Sequence, residues 1–275
     1  MVVTNVVKQQ APVGVDAETS KPFPSVAISL ISLGAIMAVW FVVTNTGILG
    51  PKQLPTPQAL VSRFLELIKD GYQGSSLMGH ITTSLTRTLS GFVIGSVVGI
   101  VVGLVAGYNR VISAALSPIM SFIRPIPPIA FIPMAVLYFG LGETGKVILI
   151  AVTSFNYTVV NAQSGAAGVP IAYRRAAATL GVSKTQEFFK VIVPAALPSI
   201  FTGLKTALAL SWAVVVAAEL VGAQKGLGFL INQAALFFDI PTVFIGIILI
   251  GIIGLLLNLA LSLLEKKLVH WRGRG

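Results

Sequence analysis

The chain has 275 residues, of which 55% are hydrophobic and 10% charged, and its mean hydropathy is +0.90. This composition excludes an ordinary soluble domain and indicates an integral membrane protein, while the lack of cysteine excludes disulfides, thiol nucleophiles and cysteine metal sites. The net charge of +10 is explained by Lys and Arg on cytoplasmic loops, so it does not indicate nucleic-acid binding.

Apolar runs of about twenty residues can cross about 30 Å of hydrocarbon, and several occur along the chain. The predicted fold class is an all-α membrane protein with about six transmembrane helices. Basic residues fall mainly on segments that are cytoplasmic if both termini lie inside, which predicts that orientation. The expected spans are 25–45, 81–107, 126–141, 146–163, 200–222 and 241–264.

Three regions are predicted along the chain. Residues 1–24 are polar and should form a cytoplasmic N-terminal tail. Residues 25–265 form the transmembrane domain, which begins with an uncleaved anchor rather than a signal peptide. Residues 266–275 form a basic C-terminal tail, whose anchor to the inner membrane face consists of Lys266, Lys267, Trp271, Arg272 and Arg274.

Between the first two spans, residues 57–70 alternate apolar and charged side chains at helical spacing. The pattern predicts a helix lying at the outer membrane interface. Its apolar side should carry Leu60, Phe64, Leu67 and Ile68.

Along the second span a glycine recurs every fourth residue. A helix face without side chains lets another helix backbone approach closely, either within the chain or at a subunit interface, and the first of these is favoured here. The five residues are Gly91, Gly95, Gly99, Gly103 and Gly107.

Two charged residues lie near the outer ends of spans that run in opposite directions. Arg87 is in the second span and Glu219 is in the fifth. Ionisable groups inside spans are costly unless they are paired, so we expect these two to form an ion pair that braces the outer mouth. The alternative is that Arg87 attracts an anionic solute.

The third span begins with a proline-rich turn at Arg124, Pro125, Pro127 and Pro128, and Pro133 follows within it. These prolines prevent a regular helix and stiffen the start of the span.

The segment after the third span resembles nucleotide-binding loops only superficially. Residues 140–147 nearly match G-x-x-x-x-G-K-[ST], but Val147 has no hydroxyl for magnesium and no soluble strand–loop–helix unit surrounds it. We expect a short outer turn with solvated Glu143 and Lys146. His80 and His270 are far apart in sequence, so no metal site is predicted.

Three polar or aromatic side chains are predicted to lie at a depth where contact with lipid would be unfavourable. They are Asn156 in the fourth span and Ser211 and Trp212 in the fifth. Such side chains face the interior of a bundle, where they line a translocation path or bond neighbouring helices. Both roles stay open for these three candidate residues.

The stretch 164–199 is polar and charged between two apolar segments. It predicts a short helix, a stop at Gly181, a second amphipathic turn and a return to the bilayer marked by Pro194 and Pro198. An ordered helix on the cytoplasmic surface is typical of a docking element for a partner.

This stretch resembles the EAA loop of binding-protein-dependent ABC importer permeases. The pattern of that loop is E-A-A, three residues, Gly, nine residues, and then I-x-L-P. Ala176, Ala177, Gly181 and Pro194 are in register, whereas Arg175 stands where the family has Glu, and Arg174 precedes it. The alternative is an ordinary interhelical loop. The proline turn, residues 138–143 and Ala217-Ala-Glu-Leu220 further resemble permeases for taurine, alkanesulfonates and nitrate.

The resemblance implies a type I importer fold and a permease subunit without catalytic activity. It implies a homodimer in the bacterial cytoplasmic membrane, two ATPase subunits that bind ATP and magnesium, and an extracytoplasmic solute-binding protein. This chain itself would bind no cofactor, and its surroundings would be membrane lipid. The implied solute is a small anion or zwitterion, taurine or another organic sulfonate first, then nitrate, other oxyanions or aromatic acids. The alternatives are a secondary transporter or channel, an export permease and, least favoured, a membrane enzyme.

Overall fold

The computed structural model describes residues 25–50 and 53–271. The N-terminal tail predicted over 1–24 and the anchor residues Arg272 and Arg274 lie outside these ranges. The described residues form helices and no β-strand, with one isolated bridge between Tyr72 and Ser75.

Eleven α-helices follow one another in the described part of the chain, with a 3-10 turn at Pro128–Phe131 before α5 and a π-helical turn at Phe188–Ile192 before α9. Their bounds are α1 Ser25–Asn45, α2 Pro57–Asp70, α3 Leu77–Tyr108, α4 Arg110–Ile123, α5 Ile132–Phe139, α6 Glu143–Ala167, α7 Ile171–Thr179, α8 Lys184–Glu187, α9 Val193–Gly222, α10 Leu227–Leu236 and α11 Ile240–Leu268.

The described residues up to Leu49 form one compact unit, and those from Gly50 onward form another. In the first unit, α1 exposes large apolar side chains on all sides, as lipid contact requires of a span. In the second unit, α6 packs most extensively against α3 and then against α9.

The glycine face of α3 packs within the chain, against α6. A Cβ at Gly91 would lie 2.6 Å from Cβ of Ile150, and one at Gly95 would collide with the carbonyl oxygen of Ala151. Gly103 and Gly107 meet the backbone about two and three turns farther along α6. The missing side chains therefore set the distance between α3 and α6. Of the two alternatives, packing within the chain and packing at a subunit interface, this is the first.

The interfacial helix predicted over 57–70 is α2, with the same bounds. Thr56 accepts a hydrogen bond from the amide of Ala59, and Pro57 occupies the first turn, where its missing N–H costs nothing. Leu60 and Leu67 are buried against the chain, whereas Ile68 is 55% exposed.

A charged contact ties α2 to the start of α11. Nη2 of Arg63 lies 2.7 Å from Oδ2 of Asp239, and Nε donates to the hydroxyl of Thr242 at 2.9 Å. Asp239 also caps the first turn of α11. This contact fixes α2 against the second unit's last span.

The third span is broken. The pair Arg110–Ile123 and Pro128–Phe139 bends by 85° at the proline turn. The sequence prediction placed one span over 126–141 and left residues 110–123 in a cytoplasmic connection. The structure makes those residues a helix, because proline interrupts the hydrogen-bond ladder only locally.

Four helices in the described residues are long and apolar enough to cross a membrane, or five if the bent pair is one span. They are Ala27–Asn45, Leu77–Tyr108, Lys184–Gly222 and Ile240–Leu268. The 25-residue helix α6 is not among them, because it carries many polar side chains. It is long enough to cross, and it lies between α3 and α9.

Candidate coupling and translocation sites

The stretch expected to dock a partner contains α7, α8 and the beginning of α9. Gly181 has φ of 69°, a left-handed conformation that glycine adopts without strain. Two hydrogen bonds close the end of α7, from Val182 N to Ala177 O and from Gly181 N to Ala178 O, both 3.1 Å. Together they form a Schellman motif, so Gly181 ends the helix as the sequence indicates.

A second helical turn follows at once. The hydroxyl of Ser183 accepts from the amide of Gln186, and the Gln186 side chain accepts from the amide of Ser183. This capping box starts α8, which continues through the π-helical turn into α9. Pro194 lies in the first turn of α9 and Pro198 lies inside it. One rigid helical path therefore leads from Ser183 into a span.

A three-residue contact fastens α7 to this path and to the end of α3. Nε of Arg174 lies 2.7 Å from Oε1 of Glu187, and the Tyr108 hydroxyl donates to Oε2 at 3.2 Å. The guanidinium of Arg174 also lies 5.4 Å from the centre of the Tyr108 ring. We call Tyr108, Arg174 and Glu187 the α7 clasp.

The carboxylate of Glu187 is the centre of the α7 clasp, because its side chain is only 7% exposed. Lys184 also approaches it at 3.5 Å, but that side chain is 85% exposed and its contribution is small. Sequence reasoning did not find the α7 clasp. The available signal was a lone carboxylate within a basic surface segment.

The residues of the predicted loop are divided between the two sides of α7. Ala177 is buried against the chain itself, whereas Arg175 and Ala176 are exposed. Ala177 therefore lies on the side of α7 that packs against the rest of the chain, and Arg175 lies on the exposed side. Large apolar side chains are exposed in the same segment at Ile171, Tyr173, Leu180 and Phe189.

Arg87 and Glu219 lie together. Nη1 of Arg87 is 2.7 Å from Oε1 of Glu219, whose side chain is fully buried. Glu219 also accepts from the Ser84 hydroxyl at 2.9 Å and from the Gly228 amide at 3.0 Å. A buried carboxylate is tolerated when it is paired and hydrogen-bonded in this way.

Glu143 is the third member of this cluster. Its two oxygens each lie 2.5 Å from a nitrogen of Arg87, in a bidentate pair. Lys146 is buried and donates to the carbonyl oxygen of Leu141 at 2.7 Å, so the expectation that it is solvated is wrong. Glu143 is 64% exposed but is fixed by Arg87. The residues of the apparent phosphate loop therefore take part in a charge cluster.

The three polar candidates of the fourth and fifth spans have different surroundings. Ser211 is buried and shares a 2.7 Å hydrogen bond with Ser154. Trp212 is buried and donates from Nε1 to the carbonyl oxygen of Ile250 at 3.0 Å. Both bond neighbouring helices, which is the second of the two roles left open for them.

Asn156 differs, because its buried Oδ1 atom has no hydrogen-bond partner among the described residues. It lines a cavity of about 310 Å³ between α6, α9 and the proline turn. We call this the Arg124 cavity. Its lining residues are Arg124, Asn156, Tyr157, Val160, Asn161, Ser164 and Thr206.

The proline turn brings Arg124 to this cavity. Arg124 follows α4 directly and is exposed, while the prolines after it direct the chain into the 3-10 turn. Gln163 holds α4 against α6 by donating to the hydroxyls of Ser113 and Ser117 at 3.0 and 3.1 Å. The proline turn therefore places Arg124 at the cavity, which the sequence did not predict.

No group of three or more potential metal ligands occurs in the described part of the chain. His80 is buried, where its ring contacts the Gly226 and Tyr72 carbonyl oxygens. His270 packs edge-on against Trp271 at 5.0 Å. The rings of both histidines therefore contact neighbouring protein groups, which is consistent with a structural role.

Comparison with known proteins gives consistent matches. Residues 95–270 match the family described as binding-protein-dependent transport system inner membrane component. The taurine transport system permease protein TauC of Escherichia coli K12 is 36% identical over 249 residues, 90% of each chain. The nitrate import permease protein NrtB of a Synechocystis species is 34% identical over 251 residues, again 90% of each chain.

Among solved structures, a chain of the MetNI methionine ABC transporter in an inward-facing conformation superposes with a TM-score of 0.62. The sequence identity is 21%, and the match covers 70% of this chain and 95% of the other. At that identity the likeness shows the fold alone.

Proposed function

The chain belongs to the family of inner membrane components of binding-protein-dependent transport systems, and on that premise we propose that it forms the translocation path for a small organic sulfonate. It is a multi-pass permease component of an ABC importer, which is a transport subunit. Taurine is the first candidate solute, and the similarity to the taurine permease supports it.

The observation that carries the proposal is the α7 clasp. An isolated nine-residue helix is marginal in water, so α7 needs tertiary contacts to remain formed. The clasp supplies them and links α7 to α3 and to the path into α9. A partner that moves α7 would therefore move two spans at once.

The partner in this mechanism is an ATPase subunit, with ATP and magnesium bound there and not to this chain. The exposed Arg175, flanked by Tyr173 and Leu180, forms the docking surface. Closure of two ATPase subunits would push two α7 helices and rock the spans between inward-open and outward-open states. A second copy of this permease completes the path, as a homodimer, and a solute-binding protein delivers the solute from outside.

This arrangement requires a defined orientation. Both termini and α7 lie on the cytoplasmic side of a bacterial inner membrane, and the cluster of Arg87, Glu143 and Glu219 lies at the outer side, where it braces the mouth of the path. Asn156 lies on the path, while Ser211 and Trp212 hold the helices that surround it.

Purification of the complex tests the function. The tagged chain is isolated from native membranes in mild detergent, the bound proteins are identified, and the complex is reconstituted with its solute-binding protein. We expect an ATPase subunit to copurify and radiolabelled taurine to enter ATP-loaded vesicles. A monodisperse chain with no ATPase after gentle cross-linking would refute the importer assignment and favour a secondary transporter.

Nitrate is the second candidate solute, and the nitrate import relative supports it. The same vesicles distinguish the two, because taurine and nitrate compete for uptake only if one path accepts both. Uptake of nitrate that taurine does not inhibit would replace the sulfonate assignment.

A further inference from the structure

The Arg124 cavity combines three features that a solute site needs. It is open enough to admit a small molecule, at about 310 Å³. Its lining is polar except for Val160, although spans surround it. It also contains one formal positive charge, on Arg124. Polar cavities at membrane depth are costly and mark solute pathways.

The amide of Asn156 points to a ligand independently of the cavity. This residue is 6% exposed and its oxygen has no hydrogen-bond partner among the described residues. A buried polar atom left in that state is destabilising. A carboxamide oxygen accepts hydrogen bonds, and this one is enclosed, so a rotation of the side chain toward the cavity would let a solute that carries a donor satisfy it.

The depth of the cavity suits a pathway. At about 1.5 Å per residue, Asn156 lies about 20 Å along α6 from Glu143, near the middle of a bilayer core. Ser164 lies about 12 Å farther along, in the direction of α7. A solute in the cavity would therefore be past the outer charge cluster and on its way to the cytoplasm.

We propose that the Arg124 cavity is the solute-binding site of this permease, where Arg124 binds the sulfonate group and the Asn156 amide binds the ammonium group of taurine. This deepens the proposed function and rests on it. A guanidinium pairs with the oxygens of a sulfonate as it does with other planar or tetrahedral oxyanions. The hydroxyls of Thr206 and Ser164 supply further hydrogen-bonding groups at the cavity wall.

The test uses cysteine reactivity, which the chain suits because it contains no cysteine of its own. Thr206→Cys places one thiol in the cavity wall. Thr202→Cys is the matched control, one turn away on the same helix, exposed and outside the cavity. The purified permease–ATPase complex is treated with anionic sulfonatoethyl methanethiosulfonate or with cationic trimethylammonioethyl methanethiosulfonate, and labelling of the permease is followed by gel.

We expect the Thr206→Cys thiol to prefer the anionic reagent. Arg124→Gln should lower the ratio of anionic to cationic rates by about tenfold, since it removes one charge close to the thiol. Arg124→Lys should keep the preference, which separates a charge effect from misfolding. The rates at Thr202→Cys should not respond to Arg124→Gln.

Solute protection identifies the two groups of taurine. Taurine and methanesulfonate should both slow labelling at Thr206→Cys, and Arg124→Gln should abolish both effects. Asn156→Leu should weaken protection by taurine by about tenfold and leave protection by methanesulfonate unchanged, because the latter has no ammonium. Equal loss for both solutes would overturn the role of Asn156.

Failure of the cavity site and failure of the sulfonate importer function would give different results. If wild-type vesicles take up taurine but neither sulfonate protects Thr206→Cys, the cavity site is wrong and the importer function stands. If Arg124→Gln leaves the reagent ratio and the protection unchanged, the site is also wrong. If no sulfonate is taken up and none protects, both the site and the sulfonate assignment are refuted.

Discussion

The guanidinium of Arg87 lies between a fully buried carboxylate, Glu219 at 2.7 Å, and a largely exposed one, Glu143 at 2.5 Å. Arg87 thus joins α3 to the end of α9 and to the start of α6, and it also donates to the carbonyl oxygen of Lys225 at 2.7 Å. One cation fixes three helices at one end of the bundle.

The two substitutions in this pair should differ in cost. Arg87→Gln leaves Glu219 buried without its counter-ion, and we expect a loss of about 3–5 kcal/mol of stability. Glu219→Gln keeps the pair with Glu143 and should cost less. The melting temperatures of the detergent-solubilised variants measure both effects, with the exposed Glu66→Gln as control.

The double variant Arg87→Gln/Glu219→Gln completes the cycle. It should be more stable than Arg87→Gln alone, because no buried charge remains unpaired. Purely additive losses would show that the two residues act separately. Unchanged stability and uptake in Arg87→Gln would rule out the brace.

The contact of α3 with α6 predicts a sharp contrast between two glycines. Gly95→Ala would push a methyl group into the carbonyl oxygen of Ala151 and should destabilise the protein by about 1–3 kcal/mol. Gly251→Ala lies in a span with open space around its Cβ, so it should be neutral or slightly stabilising. Thermal unfolding of both variants checks this, and equal effects would contradict the packing.

The α7 clasp predicts uncoupling when its carboxylate is neutralised. Glu187→Gln and Tyr108→Phe each remove part of a hydrogen-bonded contact worth about 1.5–3 kcal/mol. We expect α7 to loosen, so that ATP hydrolysis continues while solute uptake falls severalfold. Lys184→Gln removes only an exposed charge and should behave as wild type. Proportional loss of both activities would indicate general misfolding instead.

Two substitutions on opposite sides of α7 should have different effects. Arg175→Glu reverses an exposed charge, so stability should remain unchanged while ATPase binding and coupled uptake fall. Ala177→Leu inserts a bulky group at a buried position and should lower stability as well, by about 1–3 kcal/mol. Melting curves and copurification with the ATPase separate the cases. Unchanged uptake in both variants would remove the docking role from α7.

Local features of the sequence predicted much of this structure. Five of the six expected spans correspond to single long helices, and Gly181 ends α7 because a left-handed residue is needed there. The bounds of α2 also agreed, since an N-cap threonine and a proline mark its start. The bent third span was predicted less well, because proline shows where a helix is interrupted but not whether another helix precedes it.

By itself, the sequence determined that the chain spans a membrane, that α3 presents a face without side chains, and that a surface element lies within residues 164–199. Each of these is a property of neighbouring residues and their period. Only the tertiary structure decided that α6 fills the glycine face, that Glu143 joins Arg87, and that Arg124 and Asn156 share a cavity. These contacts join residues far apart in sequence, and their partners depend on how the helices pack, which no local pattern encodes.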